Sequence, residues 1–94
     1  MKRLYVLIDK SLDPVYGCVQ GGHCVAQYLI ENGNEKWNND YLIYLYADLD
    51  YWIWKLKKLD IKFSIFREPD LQNKITSISV LNNGELFKHL KLVS

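Results

Sequence analysis

Two short, almost unbroken apolar runs, "LYVLI" at Leu4 to Ile8 and "YLIYLYA" at Tyr41 to Ala47, constrain this chain more than any other feature. With their β-branched and aromatic content, each reads as a strand covered on both faces. Between them, "DKSLDP" supplies turn chemistry and Pro14 is placed to open a helix. From Val15 onward, Val15, Cys18, Gly22, Val25 and Leu29 recur with a helical period, with Val19, Ala26 and Ile30 beside them, and mark the apolar stripe of that helix. "ENGNEKWNND" then reads as a helix stop and a polar loop.

After the second run, Asp48 is a plausible N-cap for a helix through about Leu59. Leu49, Trp52 or Ile53, Leu56 and Leu59 make its core face, and Lys55, Lys57 and Lys58 turn outward. "IKFSIFREP", Ile61 to Pro69, reads as a third strand that proline ends. "ITSISVL", Ile75 to Leu81, alternates as a fourth, with Thr76, Ile78 and Val80 on one face. Asn82, Asn83 and Gly84 give a turn, and "ELFKHLKLV" closes the chain as a helical or extended segment. The order β α β α β β predicts one domain over residues 1–94. Its architecture is a small layered α/β sandwich, with a four-stranded mixed, mostly parallel sheet flanked by helices.

Ninety-four residues, 49% of them hydrophobic, suffice for a single core. A net charge of +1 gives no global field for nucleic acid or membrane, so a polyanion would need a local patch. Lys55, Lys57, Lys58 and Lys62 form one such candidate, with Trp54 as a stacking surface; the alternative is a solvated helix face. Trp54 could equally mark a subunit contact. On a helix Cys18 and Cys24 stand about 120° and roughly 9 Å apart, too far to bridge. Free thiols, no secretory pattern at "MKRLYVLID" and no bilayer-length apolar run predict a cytoplasmic protein without membrane attachment. The bias toward Asn, Lys, Ile and Tyr, with arginine only at Arg3 and Arg67, suggests an AT-rich gene of a low-GC bacterium or a bacteriophage.

The first helix carries the chemistry. Tyr16, Gln20, His23 and Gln27 recur at helical spacing as a polar stripe beside the apolar one. Gly21 and Gly22 each cost about 1 kcal/mol against alanine there, which close approach of the helix backbone to the sheet or to a ligand would offset. No acid at local spacing orients the imidazole of His23, so the stripe alone is not a triad. His23, Cys24, Cys18 and His89 lack metal-ligand spacing, and phosphate-loop, nucleophile-elbow and dinucleotide motifs are missing from the sequence, so neither metal nor cofactor is expected.

"VQGGHCVAQY", following a strand and a short loop, resembles the signature that opens the first helix of the type II peptidyl-tRNA hydrolases. "KWNND", a strand and a helix, "FREPD", "ITSISVL" and a terminal "HLKLV" follow in the family's order and extend the resemblance over nearly the whole chain. It implies that fold and a cytoplasmic esterase that cleaves peptidyl or N-blocked aminoacyl groups from tRNA, often as a homodimer. His23 matches the family histidine and Gln20 its glutamine. Glu68 stands where the family aspartate is expected, with Asp70 just beyond. The family lysine is replaced: one turn before Gln20 stands Tyr16, which carries no positive charge near neutral pH.

A missing cation removes electrostatic stabilisation on the order of 3 to 4 kcal/mol unless Arg67 or Lys10 supplies it. Arg67 beside Glu68 also reads as an ordinary strand-end ion pair. The threonine-bearing loop is shortened to "DLQNK", leaving Thr76 or Ser77 as candidates for its hydroxyl. The resemblance thus implies His23 and Glu68 as catalytic residues. Tyr16, Gln20, Gln27, Arg67, Asp70 and Lys10 would bind the substrate. The alternative keeps the pocket without the chemistry, as a binding protein that sequesters a nucleotide or tRNA end, and in a virus could blunt host signalling.

Overall fold

The computed structural model describes residues 2–93. Both apolar runs become strands, β1 (Arg3–Asp9) and β2 (Tyr41–Ala47), paired in parallel from Arg3 opposite Tyr41 to Asp9 opposite Ala47. Helix α1 (Pro14–Asn32) makes the crossover that a parallel pair requires. Asp13 caps it by accepting from the Tyr16 amide, Pro14 occupies its first turn, and Gly33, at φ 68°, ends it by donating to the Leu29 carbonyl. Helix α2 (Leu49–Lys58) is capped by Asp48 and leads to β3 (Ser64–Glu68). A 3₁₀ turn at Pro69–Leu71 and left-handed Gln72 and Asn73 then reverse the chain into β4 (Lys74–Asn82).

The sheet order is β2-β1-β4-β3. The mostly parallel sheet expected from the sequence is corrected: only β1 and β2 pair in parallel, while β4 is antiparallel to both β1 and β3. The physical reason is the β3–β4 connection. A parallel crossover needs about a dozen residues or more, and the short turn at Pro69–Asn73 permits only a hairpin.

The two helices take opposite faces. On one, Tyr5, Leu7, Leu45, Ile78 and Val80 meet Leu49 and Leu56 of α2 together with Phe87 from a second 3₁₀ turn, Glu85–Phe87. Leu59, expected on this core face, lies beyond the helix and is exposed. On the other face, Val6 and Ile8 pack on Cys24 of α1, and Leu4 packs on Tyr28 and Trp37. Trp37 is the plug of the polar loop, its indole N–H donating to the Tyr41 carbonyl at 3.0 Å. The closing segment starts as the 3₁₀ turn at Glu85–Phe87 and only its end is extended: Lys91 and Val93 hydrogen-bond Tyr46 and Tyr44, covering the outer edge of β2.

Helix α1 departs most from its sequence pattern. Its buried side is Gly17, Gln20, Gly21, Cys24 and Tyr28; of the expected apolar stripe only Val25 packs against the core, while Val15, Cys18, Gly22 and Leu29, with Val19, Ala26 and Ile30 beside them, are exposed. A β-carbon on Gly17 would stand 2.8 Å from Ile8, and one on Gly21 would stand 2.8 Å from the Tyr44 ring. Close approach to the sheet therefore accounts for Gly17 and Gly21. Gly22 is different, since a β-carbon there meets nothing within 4 Å.

Candidate functional site

Polar groups that α1 buries must find partners, because an unpaired buried donor or acceptor costs about 1 to 3 kcal/mol. They find them on β4. The hydroxyl of Ser77 donates to the Gln20 carbonyl at 3.0 Å and that of Ser79 to the Cys24 carbonyl at 3.2 Å. The Cys24 thiol is held within the same lattice, near the Ser79 hydroxyl and the Ser64 carbonyl, and burial raises its pKa despite the hydroxyls of Ser79 and Ser77. It is a packed thiol rather than a nucleophile.

One irregularity then shapes the site. The pairing of β3 with β4 shifts between Phe66 and Arg67: Phe66 is opposite Ser77, Arg67 is opposite Ile75, and Thr76 is the extra residue. Such a bulge re-aims a side chain. Thr76, expected on the face of Ile78 and Val80, instead turns toward α1 and donates its hydroxyl to the Gln20 side-chain oxygen. The Gln20 amide donates in turn to Glu68 at 3.0 Å. Gln20 is 1% exposed with both side-chain groups engaged, so it ties α1 to both β3 and β4.

At the surface end of this chain of bonds, Tyr16 lies beside Glu68 and Asp70. Desolvation, then the charges of Glu68 and Asp70, push its phenol above the ordinary tyrosine value. Its hydroxyl is a hydrogen-bond donor near neutral pH, as in any ordinary tyrosine. His23, about two turns further along α1 than Tyr16, is exposed and lies flat on Phe66, with ring centroids 4.7 Å apart and planes 10° apart. The hydrogen bond to Glu68 comes from Gln20, not from His23. The site is thus a shelf of Tyr16, His23, Phe66, Glu68 and Asp70 backed by Gln20 and Thr76.

The remaining expected residues lie elsewhere. Gln27 donates to Glu31 at 2.7 Å, and Glu31 also accepts from Ser64, toward the opposite end of α1. Lys10 and Arg67 line a groove of about 550 Å³ with Asp9, Asp48, Asp50 and Lys74, where β1 ends and α2 begins. Arg67 donates to the Asn73 carbonyl at 3.4 Å rather than pairing with Glu68. Neighbours along a strand point to opposite faces, which separates Arg67 from Phe66 and Glu68. Phe66 was not singled out by the sequence reading, although the period-two set Ser64, Phe66, Glu68 was available to signal a shared face.

Beside Arg67 and Lys10, Lys74 pairs with Asp9 at 3.2 Å. Burial pushes the Asp9 carboxyl up, but hydrogen bonds from the Ser11 amide and hydroxyl and the nearby Lys74 ammonium outweigh it, and its pKa falls below the ordinary aspartate value. Among the described residues, no helix is long and apolar enough to cross a membrane.

No family model matches the sequence, and no curated protein matches it. The solved structure of a protein of unknown function from Agrobacterium tumefaciens strain C58 is similar, with a TM-score of 0.68 at 12% identity over 99% of this chain and 98% of that one. At that identity the likeness is one of fold.

Proposed function

We propose that this protein hydrolyses the ester joining a peptidyl or N-blocked aminoacyl group to tRNA, in the manner of the type II peptidyl-tRNA hydrolases its sequence resembles. The observation that carries the reading is the bulge at Thr76, which aims a hydroxyl at Gln20 and so holds Glu68 beside the exposed face of α1. Bulges concentrate beside active sites as well as at sheet edges, and this one, in the pairing with the edge strand β3, gives the buried Gln20 its polar connection to Thr76 and Glu68. In the proposed reaction His23 takes a proton from the attacking water, and stacking on Phe66 fixes its ring plane. Tyr16, whose phenol is protonated near neutral pH, donates to the oxyanion as the ester carbonyl becomes tetrahedral. The proton taken from water passes to the departing ribose oxygen as the acyl–oxygen bond breaks, and Glu68, held by the Gln20 amide, helps to orient the attacking water.

Kinetics with an N-acetylated aminoacyl-tRNA test these roles. His23→Ala is expected to lower kcat by about two to four decades with little change in KM. Unchanged kcat in that variant would remove His23 from the reaction.

One observation favours a second reading, capture of a nucleotide or tRNA end without cleavage. Arg67 and Lys10, the two cations able to stand in for the family lysine, line the groove near Asp48 rather than the shelf of His23. Binding without turnover, weakened by His23→Ala, is the result that reading expects. Under either reading two copies are proposed to pair through the outer face of α1. Val15 and Ile30 there are 77% and 78% exposed, and open Gly22 would let a second helix approach closely.

A further inference from the structure

Helix α2 has one face that the core explains and one that it does not. Leu49, Trp52, Ile53 and Leu56 pack toward the sheet and Phe87. Opposite them, Tyr51 is 47% and Trp54 54% exposed. Their rings, a helical turn apart, meet with centroids 5.9 Å apart and planes tilted by 46°, so they form one continuous aromatic surface in water. The Lys58 ammonium lies 5.0 Å from the Trp54 ring centroid, and Lys57 is exposed in the same helical turn. The last turn of α2 carries Lys55, Lys57 and Lys58 with no acid among them, within a protein whose net charge is only +1, whereas Lys62 lines a hollow with Tyr28 and Glu31 on the α1 side. Lysines in the last turn of a helix are favoured by its dipole, but the dipole gives no reason to leave two large aromatic rings in water.

We propose that this face binds single-stranded nucleic acid. Unpaired bases have free π-faces to lay on Trp54 and Tyr51, and the phosphates between them meet the lysines. The tilt between the rings suits splayed bases, whereas a duplex hides its base faces in its own stack. The surface lies on the side of the sheet opposite α1 and His23. It does not depend on the hydrolase reading and would stand if no ester were cleaved.

The test is titration of the full-length protein with 12-nucleotide oligouridylate, oligothymidylate and a hairpin duplex at about 50 mM salt. Anisotropy of the labelled oligonucleotide and tryptophan fluorescence are the readouts. Both single strands are expected to bind and quench tryptophan fluorescence, and the hairpin to bind at least tenfold more weakly. Trp54→Ala should weaken single-strand binding by roughly 5- to 150-fold, and Trp54→Phe should restore most of it, since one stacked base is worth about 1 to 3 kcal/mol. Replacing Lys57 and Lys58 by Glu should flatten the dependence of affinity on salt. No binding at 50 mM salt, equal affinity for the hairpin, or binding unmoved by Trp54→Ala in a folded protein would each overturn the proposal. A preference between the RNA and DNA strands would identify which polymer the face has been built for.

Discussion

At the scale of single residues, the protein sets two kinds of glycine side by side. Gly21→Ala is expected to destabilise by about 1 to 3 kcal/mol, because the new methyl must push into Tyr44 and Ile8 on a packed sheet. Gly22→Ala should instead stabilise the dissociated chain by up to about 1 kcal/mol, since its β-carbon meets nothing and alanine is the better helix former. Denaturant titration of the two variants checks both signs. Thr76→Val, close in shape, leaves the Gln20 oxygen without its donor in a buried place and should cost about 1 to 3 kcal/mol. Equal stability of Thr76→Val and wild type would mean that the bulge serves no polar connection. Asp9 adds a pH term with a definite sign. Its folded pKa lies below the unfolded one, so its contribution is present above the unfolded value near pH 4 and is lost as pH falls through the folded pKa. Thermal melts of Lys74→Met should show a smaller loss of stability on acidification than wild type.

At the scale of elements, legibility followed chemistry. Strand β1 and the core side of α2 were readable because apolar side chains there do what hydropathy expects: Leu4 to Ile8 are buried, and Leu49, Trp52, Ile53 and Leu56 all point inward. Strand β2 is a strand as expected but is not covered on both faces, because it lies at the sheet edge with Tyr41 and Leu42 exposed. Helix α1 misled because its inner side is built from Gly17, Gln20, Gly21 and Cys24, whose polar groups are satisfied by Thr76, Ser77 and Ser79 across the interface. A small or polar residue that packs well carries no hydropathy signal, so the stripe of Val15, Val19 and Ile30 stood out although it faces outward. The same limit hid the bulge. Thr76 looked like a regular alternation partner of Ile78, and only the register against Phe66 and Arg67 shows that it is the inserted residue. His23 was legible as a candidate, but its platform Phe66 and the diversion of Glu68 to Gln20 depend on tertiary contacts. The closing segment likewise had no pattern of its own, because Lys91 and Val93 acquire their extended form from the edge of β2. Removing residues 91–94 is expected to expose that edge and speed hydrogen exchange at the Tyr46 amide, which otherwise donates to Lys91 at 2.9 Å. Unchanged exchange there would show that the segment does not hold the edge.

At the scale of the whole molecule, the sheet separates three surfaces. On one side, Tyr16 and His23 of α1 meet Glu68 of β3 and Asp70 of the following turn in the shelf, and next to it α1 presents an exposed apolar stripe. Helix α2 presents the aromatic and basic face on the other side. If the proposed pairing through α1 holds, wild type sediments as a dimer and Val19→Lys, which places a charge on the apolar stripe, as a monomer, with the α2 face untouched. The central claim concerns the shelf, and release of N-acetyl amino acid from N-acetylated aminoacyl-tRNA by the purified protein tests it most directly. Release that requires His23 and proceeds with a tyrosine, not a lysine, at position 16 is the predicted result. A folded protein that binds the tRNA and releases nothing would contradict it.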